Sequence, residues 1–143
     1  MKKTTFGLAL LCLLTATSCK KEKGEEKIQL NTTTVSGNYK VTAITMLTGT
    51  VESDVRPFFM EPCEYDDIIQ FKTDKTFMVT DAGMKCSPAS NETGTWDLPG
   101  NNKFILDGEE TEVKKWDGKE LHLSAAETIN SQPTTITFKL EKQ

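Results

Sequence analysis

Beyond residue 36 the apolar positions recur with a period of two. In Asp67–Lys72 and Thr76–Thr80, Ile69, Phe71, Phe77 and Val79 alternate with mostly polar residues. Each run has one apolar face, the pattern of a half-buried strand. The polar Thr73-Asp74-Lys75 between them predicts a hairpin. Gly37–Leu47, rich in β-branched residues, predicts an earlier strand. Thr93–Leu98, Lys103–Leu106, Glu110–Trp116, Lys119–Ala125 and Thr134–Glu141 predict five more. Turn chemistry separates them: Pro99–Asn102, Asp107-Gly108 and Asp117-Gly118. Thr48–Tyr65, interrupted by Gly49, Pro57 and Pro62, reads as a long irregular connection. Gly83–Asn91 and Thr128–Pro133 read as loops. No window beyond the first 18 residues carries a helical period over ten or more positions.

Eight short strands joined mostly by tight turns predict an all-β fold, an eight-stranded antiparallel up-and-down meander. Such a sheet avoids exposed edges by closing into a barrel. Eight strands enclose a space wide enough for their own side chains or for one small ligand. The predicted inward set is Tyr39, Val41, Ile69, Phe71, Phe77, Val79, Trp96, Leu98, Phe104, Leu106, Val113, Leu121, Leu123, Ile136, Phe138 and Leu140. The outward set is mainly Thr, Lys, Glu and Asp. That excludes a membrane-spanning barrel, whose outer face must be apolar. Trp116 has the opposite parity to Val113, so one of the two faces solvent unless a bulge intervenes. An exposed Trp116 would offer a partner contact.

Cys63 and Cys86 lie just outside the open ends of the central hairpin. Antiparallel pairing brings those ends together, so a Cys63–Cys86 disulfide is the natural reading. Closing such a loop contributes about 3 kcal/mol by the chain-entropy estimate. The pairing implies an oxidising, exported environment.

The start of the chain agrees. Lys2-Lys3 is a positive n-region, and Phe6–Leu14 is an apolar stretch too short to span a bilayer permanently. Thr15-Ala16-Thr17-Ser18 then leads to Cys19. This arrangement resembles a bacterial lipoprotein signal, with Ala16 where Leu is usual. The resemblance implies cleavage before Cys19 and acylation of Cys19, a stable membrane tether when several chains are attached. The organisation expected is a signal peptide over 1–18, a lipidated Cys19 and charged linker over 19–35, and a barrel over 36–143. The Lys-Glu and Glu-Glu pairs of the linker resemble the surface-export signal of Bacteroidetes lipoproteins, which implies an outer-membrane address, facing either outward or toward the periplasm.

Charge and chemistry narrow the function. The chain carries 17 Lys and Arg against 21 Asp and Glu, and without Lys2 and Lys3 the balance is 15 against 21. An acidic chain with no basic patch beyond Lys20, Lys21 and Lys23 argues against nucleic acid. The one histidine, His122, sits between Leu121 and Leu123 and should point outward. Asp66-Asp67 and Glu109-Glu110 are sequence neighbours, whose side chains face opposite sides of a strand, so neither forms a catalytic dyad. No nucleophile elbow, phosphate loop or Cys-x-x-Cys is present. The expectation is a non-enzymatic protein with no catalytic residue, metal or cofactor.

The ordered set Gly37-x-Tyr39, Cys63, Phe71-x-x-x-Lys75-x-Phe77, Cys86 and Thr93-Gly94-Thr95-Trp96 resembles the lipocalin-like lipoprotein domains of Bacteroidetes over Ser36–Lys142. The resemblance implies a lipocalin-like barrel in which Phe58-Phe59-Met60, after the first strand, guards the open end. On the residues alone, those three could equally tuck under the rim. Trp96 could line a pocket or plug one end. Two readings follow. In the first, the barrel binds a small hydrophobic ligand through Tyr39, Phe58, Phe59, Phe71, Phe77, Trp96, Phe104 and Phe138. In the second, the barrel is filled, and its loops or Trp116 contact a protein or glycan at the cell envelope.

Overall fold

The computed structural model describes residues 29–89 and 91–143. The leader over 1–18, Cys19 and the charged stretch through residue 28 lie outside the described residues. The strands are β1 (Gly37–Thr48), β2 (Val51–Asp54), β3 (Ile68–Phe71), β4 (Thr76–Thr80), β5 (Glu92–Gly100), β6 (Lys103–Leu106), β7 (Glu109–Trp116), β8 (Glu120–Ile129) and β9 (Gln132–Lys142). Neighbours pair antiparallel in the order β2-β1-β3-β4-β5-β6-β7-β8-β9, and β1 also pairs β9. That last ladder, from Tyr39 opposite Lys142 to Thr48 opposite Thr134, closes the ring. The result is the expected eight-stranded barrel, with β2 as an addition on the far half of β1.

The added strand corrects the reading of Thr48–Tyr65 as irregular. Val51–Asp54 turns back on Thr45–Thr48, with every β2 residue exposed. A strand with no buried face shows no period-two signal, so the pattern could not reveal it. The Thr128–Pro133 loop is likewise a hairpin. β8 and β9 stay paired up to Ile129 opposite Gln132. Asn130 and Ser131 take positive φ values of 51° and 64° to make a two-residue turn.

Two bulges set which residues face inward. In β1 the register slips between Val41 and Ala43, leaving Thr42 as the extra residue. Inward parity therefore passes from Tyr39 and Val41 to Ile44, which is 1% exposed. In β7 the slip falls between Val113 and Lys115. It turns Trp116 toward the interior along with Val113. Trp116 is half-buried against the core, and the Lys142 ammonium lies 5.7 Å from its ring centroid. The expected exposed partner contact at Trp116 is not present.

Every residue of the predicted inward set is buried or packed against the buried cluster, which also takes in Val35, Ile44 and Val55. One end of the barrel is filled. Trp96 stacks on Phe104 with centroids 5.6 Å apart and planes at 19°. Its indole N–H donates to the Lys72 carbonyl at 2.9 Å. Trp96 is thus a plug. Gly94 makes room for Phe77 and Asp107: a Cβ there would fall 2.5 Å from a Phe77 ring carbon and 2.2 Å from the Asp107 carboxylate.

A short helix, α1 (Thr32–Val35), caps this end. The Asn31 side chain accepts from the Thr34 N–H at 2.9 Å. Val35 is fully buried. The Tyr39 hydroxyl donates to the Val35 carbonyl at 2.6 Å, and burial pushes the Tyr39 phenol above its ordinary pKa. The Lys142 ammonium donates to the Thr34 carbonyl at 2.8 Å. The segment expected as linker through residue 35 is therefore folded from Asn31, because Val35 supplies a core contact that its polar neighbours conceal. Replacing Val35 with Ala should cost about 2 kcal/mol in urea unfolding, from lost burial and the void left behind. An unchanged midpoint would show that α1 does not seal this end.

Candidate functional site

The end opposite α1 is not filled. A cavity of about 510 Å³ opens there, and twelve of its eighteen lining residues are apolar. Phe71 forms its floor. That ring meets Tyr39 at 5.5 Å, Trp96 at 5.3 Å and Phe104 at 5.4 Å on the filled side, and Phe77 at 6.3 Å on the cavity side. Val41 and Ile44 from β1, Val79 from β4, Leu123 from β8 and Phe138 from β9 supply walls. Apart from Phe138, these side chains are smaller than the rings of the plug, and they leave the upper barrel hollow. The filled-barrel reading does not describe this interior.

The mouth is built by the long β1–β3 connection. Val55 is buried, and its N–H donates to the Ile44 carbonyl at 2.8 Å. A second short helix, α2 (Arg56–Phe59), follows. Phe59 and Met60 line the cavity, and Phe59 stands edge-on to Phe138 at 5.9 Å. Phe58 points the other way and is 86% exposed. The Arg56 guanidinium lies 3.8 Å from the Tyr65 ring centroid and donates to the Tyr65 carbonyl at 2.9 Å, drawing the two ends of the segment together.

The Cys63–Cys86 disulfide is formed, with Cα atoms 5.3 Å apart. It ties this segment to the loop after β4. Aspartates reinforce the tie. Asp67 accepts from the Ala82 N–H at 3.0 Å, Asp66 from the Met84 N–H at 2.9 Å, and Asp81 from the Cys86 N–H at 3.3 Å.

Of the eight aromatic residues expected to contact a ligand, Phe59, Phe71, Phe77 and Phe138 are brought together around the cavity. Tyr39, Trp96 and Phe104 lie beneath the floor in the packed cluster, and Phe58 faces solvent. The sequence reading missed the polar lining: Glu64, Asp67, Glu92, Asp107, Glu109 and Thr111. Glu109 turns to the cavity while its neighbour Glu110 turns out to pair with Lys103. Strand alternation applied to Glu109-Glu110 separates these two roles, but the cavity gives the inner one its meaning.

His122 points outward as expected, facing Lys115 and Lys139 on the flanking strands. Partial burial, with Lys115 next in weight, holds its imidazole below the ordinary pKa. Among the described residues, no group of three or more His, Cys, Asp or Glu is arranged to hold a metal ion.

A closed antiparallel barrel, plugged at one end and hollow at the other, defines the class of protein. The family follows from the chain itself: the family model described as a lipocalin-like domain matches residues 35–137, and the chain belongs to that family. No curated protein matches it. Among solved structures, the complex of bovine odorant binding protein with a selenium-containing odorant is similar, at 14% identity and a TM-score of 0.45, covering 83% of this chain and 76% of that one.

The disulfide holds the cavity mouth, and its loss should be felt in stability. The Cys63→Ser/Cys86→Ser double variant is expected to unfold about 3 kcal/mol more readily in urea under non-reducing conditions. Equal midpoints for the two proteins would show that the crosslink adds nothing to the aspartate contacts.

Proposed function

We propose that this protein binds one small hydrophobic ligand in the open-ended cavity and performs no chemistry on it. The observation that carries this reading is the apolar void of about 510 Å³ itself. Protein interiors are ordinarily packed to the density of organic crystals. A cavity of this size, lined mainly by aliphatic and aromatic side chains, lies within the range of small-molecule sites. Phe59 and Met60 cover part of the mouth from a segment fixed by Val55, Arg56 and the disulfide, so the site is largely pre-formed.

The neutral fluorophore N-phenyl-naphthylamine tests the reading. It should bind saturably at one site, with a blue shift, and Val79→Trp, which fills part of the cavity wall, should weaken binding by about tenfold while the circular dichroism spectrum stays that of the parent. Failure of the parent to bind, or equal binding by the variant, would remove the cavity from consideration.

We propose further that the mature protein is an outer-membrane lipoprotein anchored at Cys19. The support is the leader and the residues around Cys19 in the sequence. A tether there enters the domain through α1, at the end opposite the cavity mouth. Parent protein expressed with its leader should sediment with membranes and gain the mass of the acyl groups, and Cys19→Ser should be released. Sedimentation of both forms alike would contradict the anchor.

A further inference from the structure

We infer that the cavity takes an apolar molecule bearing a positive charge, such as a long-chain amine or quaternary ammonium compound, and disfavours fatty acids and other anionic amphiphiles. This rests on the ligand-binding reading above and names the ligand class for the same cavity.

All five ionisable residues of the lining are acidic: Glu64, Asp67, Glu92, Asp107 and Glu109. They come from separate segments: the turn after Pro62, the lead into β3, the start of β5 and the β6–β7 turn. The fold thus gathers them around one apolar void. No Lys, Arg or His lines it. Among the described residues, no cation comes within ion-pair distance of Glu64, Glu92, Asp107 or Glu109. Arg56 and Lys85, the cations on the segments that build the mouth, donate instead to the carbonyls of Tyr65 and Asp81.

Backbone donors position two of these carboxylates without supplying a cation. Glu64 accepts from the Glu61 N–H at 2.7 Å, and Asp107 accepts from the Thr95 N–H at 2.7 Å. An ionised carboxylate offers about four acceptor positions, so each keeps capacity for a further donor.

Negative charge against low-dielectric walls concentrates the field in a cleft and favours cationic ligands. An anionic head would meet like charges instead. The four phenylalanine rings of the cavity add faces to which an ammonium group is attracted. The carboxylates are too dispersed to form a metal cage, yet a diffuse organic cation needs no such convergence.

Calorimetric titration of the purified protein with decylamine, decanol and decanoate decides the matter, since the three share a tail and differ in head charge. Decylamine should bind more tightly than decanol by about tenfold, the scale of one partly desolvated ion pair. Decanoate should bind most weakly. In Glu92→Gln/Glu109→Gln, which alters two exposed positions, the ratio of decylamine to decanol affinity should fall severalfold. Equal binding of amine and alcohol, or tightest binding of decanoate, overturns the charge inference and leaves the cavity as a ligand site. Absence of binding by all three removes the ligand-binding reading and the inference with it.

Discussion

Pairing of β1 with β9 is the constraint from which the rest of the molecule follows. A long meander has two open edges, each a row of unpaired backbone groups. Here one strand closes both, because β1 carries β3 at its start, β2 at its end and β9 along its length. Closure fixes the interior of the barrel before any side chain is chosen. The bulge at Thr42 is part of the same solution, since it bends β1 and switches which side chains enter the interior. What the protein can do then depends on how side-chain volume is distributed inside a container of set size.

That distribution is uneven. Phe71 divides the barrel, with Tyr39, Trp96 and Phe104 packed against it on one side. On the other side, Val41, Ile44, Val79 and Leu123 are too small to meet across the barrel. Apolar walls left facing a void lose dispersion contacts that a packed core would make. A ligand that fills the void restores them and stabilises the folded state by mass action. Hollowing the open end thus costs stability that the proposed ligand would return. The disulfide and the three aspartates at the mouth offset part of that cost from outside the cavity.

Much of this was legible in the sequence because period two is a direct consequence of a half-buried sheet. Every strand with a buried face announced itself, and the Cys63–Cys86 pairing followed from where the hairpin opens. What escaped had no such signature. Val51–Asp54 buries nothing, so pairing alone makes it a strand. Val35 is a single apolar residue after Asn31 and three threonines, and only the finished barrel end reveals its socket. Ile44 and Trp116 sit on the wrong parity until a bulge is inserted, and no local residue type demands one at Thr42 or Lys114. The acidic lining was the least visible element. Glu64, Asp67, Glu92, Asp107 and Glu109 are scattered along the chain, each reads as a turn or solvent residue, and closure alone assembles them.

The central claim is that the barrel interior is packed below Phe71 and hollow above it. Crystals of the protein pressurised with xenon test this most directly, because xenon enters apolar cavities and ignores packed cores. The account predicts xenon density among Phe71, Phe77, Leu123 and Phe138, and none around Trp96 and Phe104. An interior with no xenon, in which Phe59 and Met60 have collapsed onto Phe71, would contradict it.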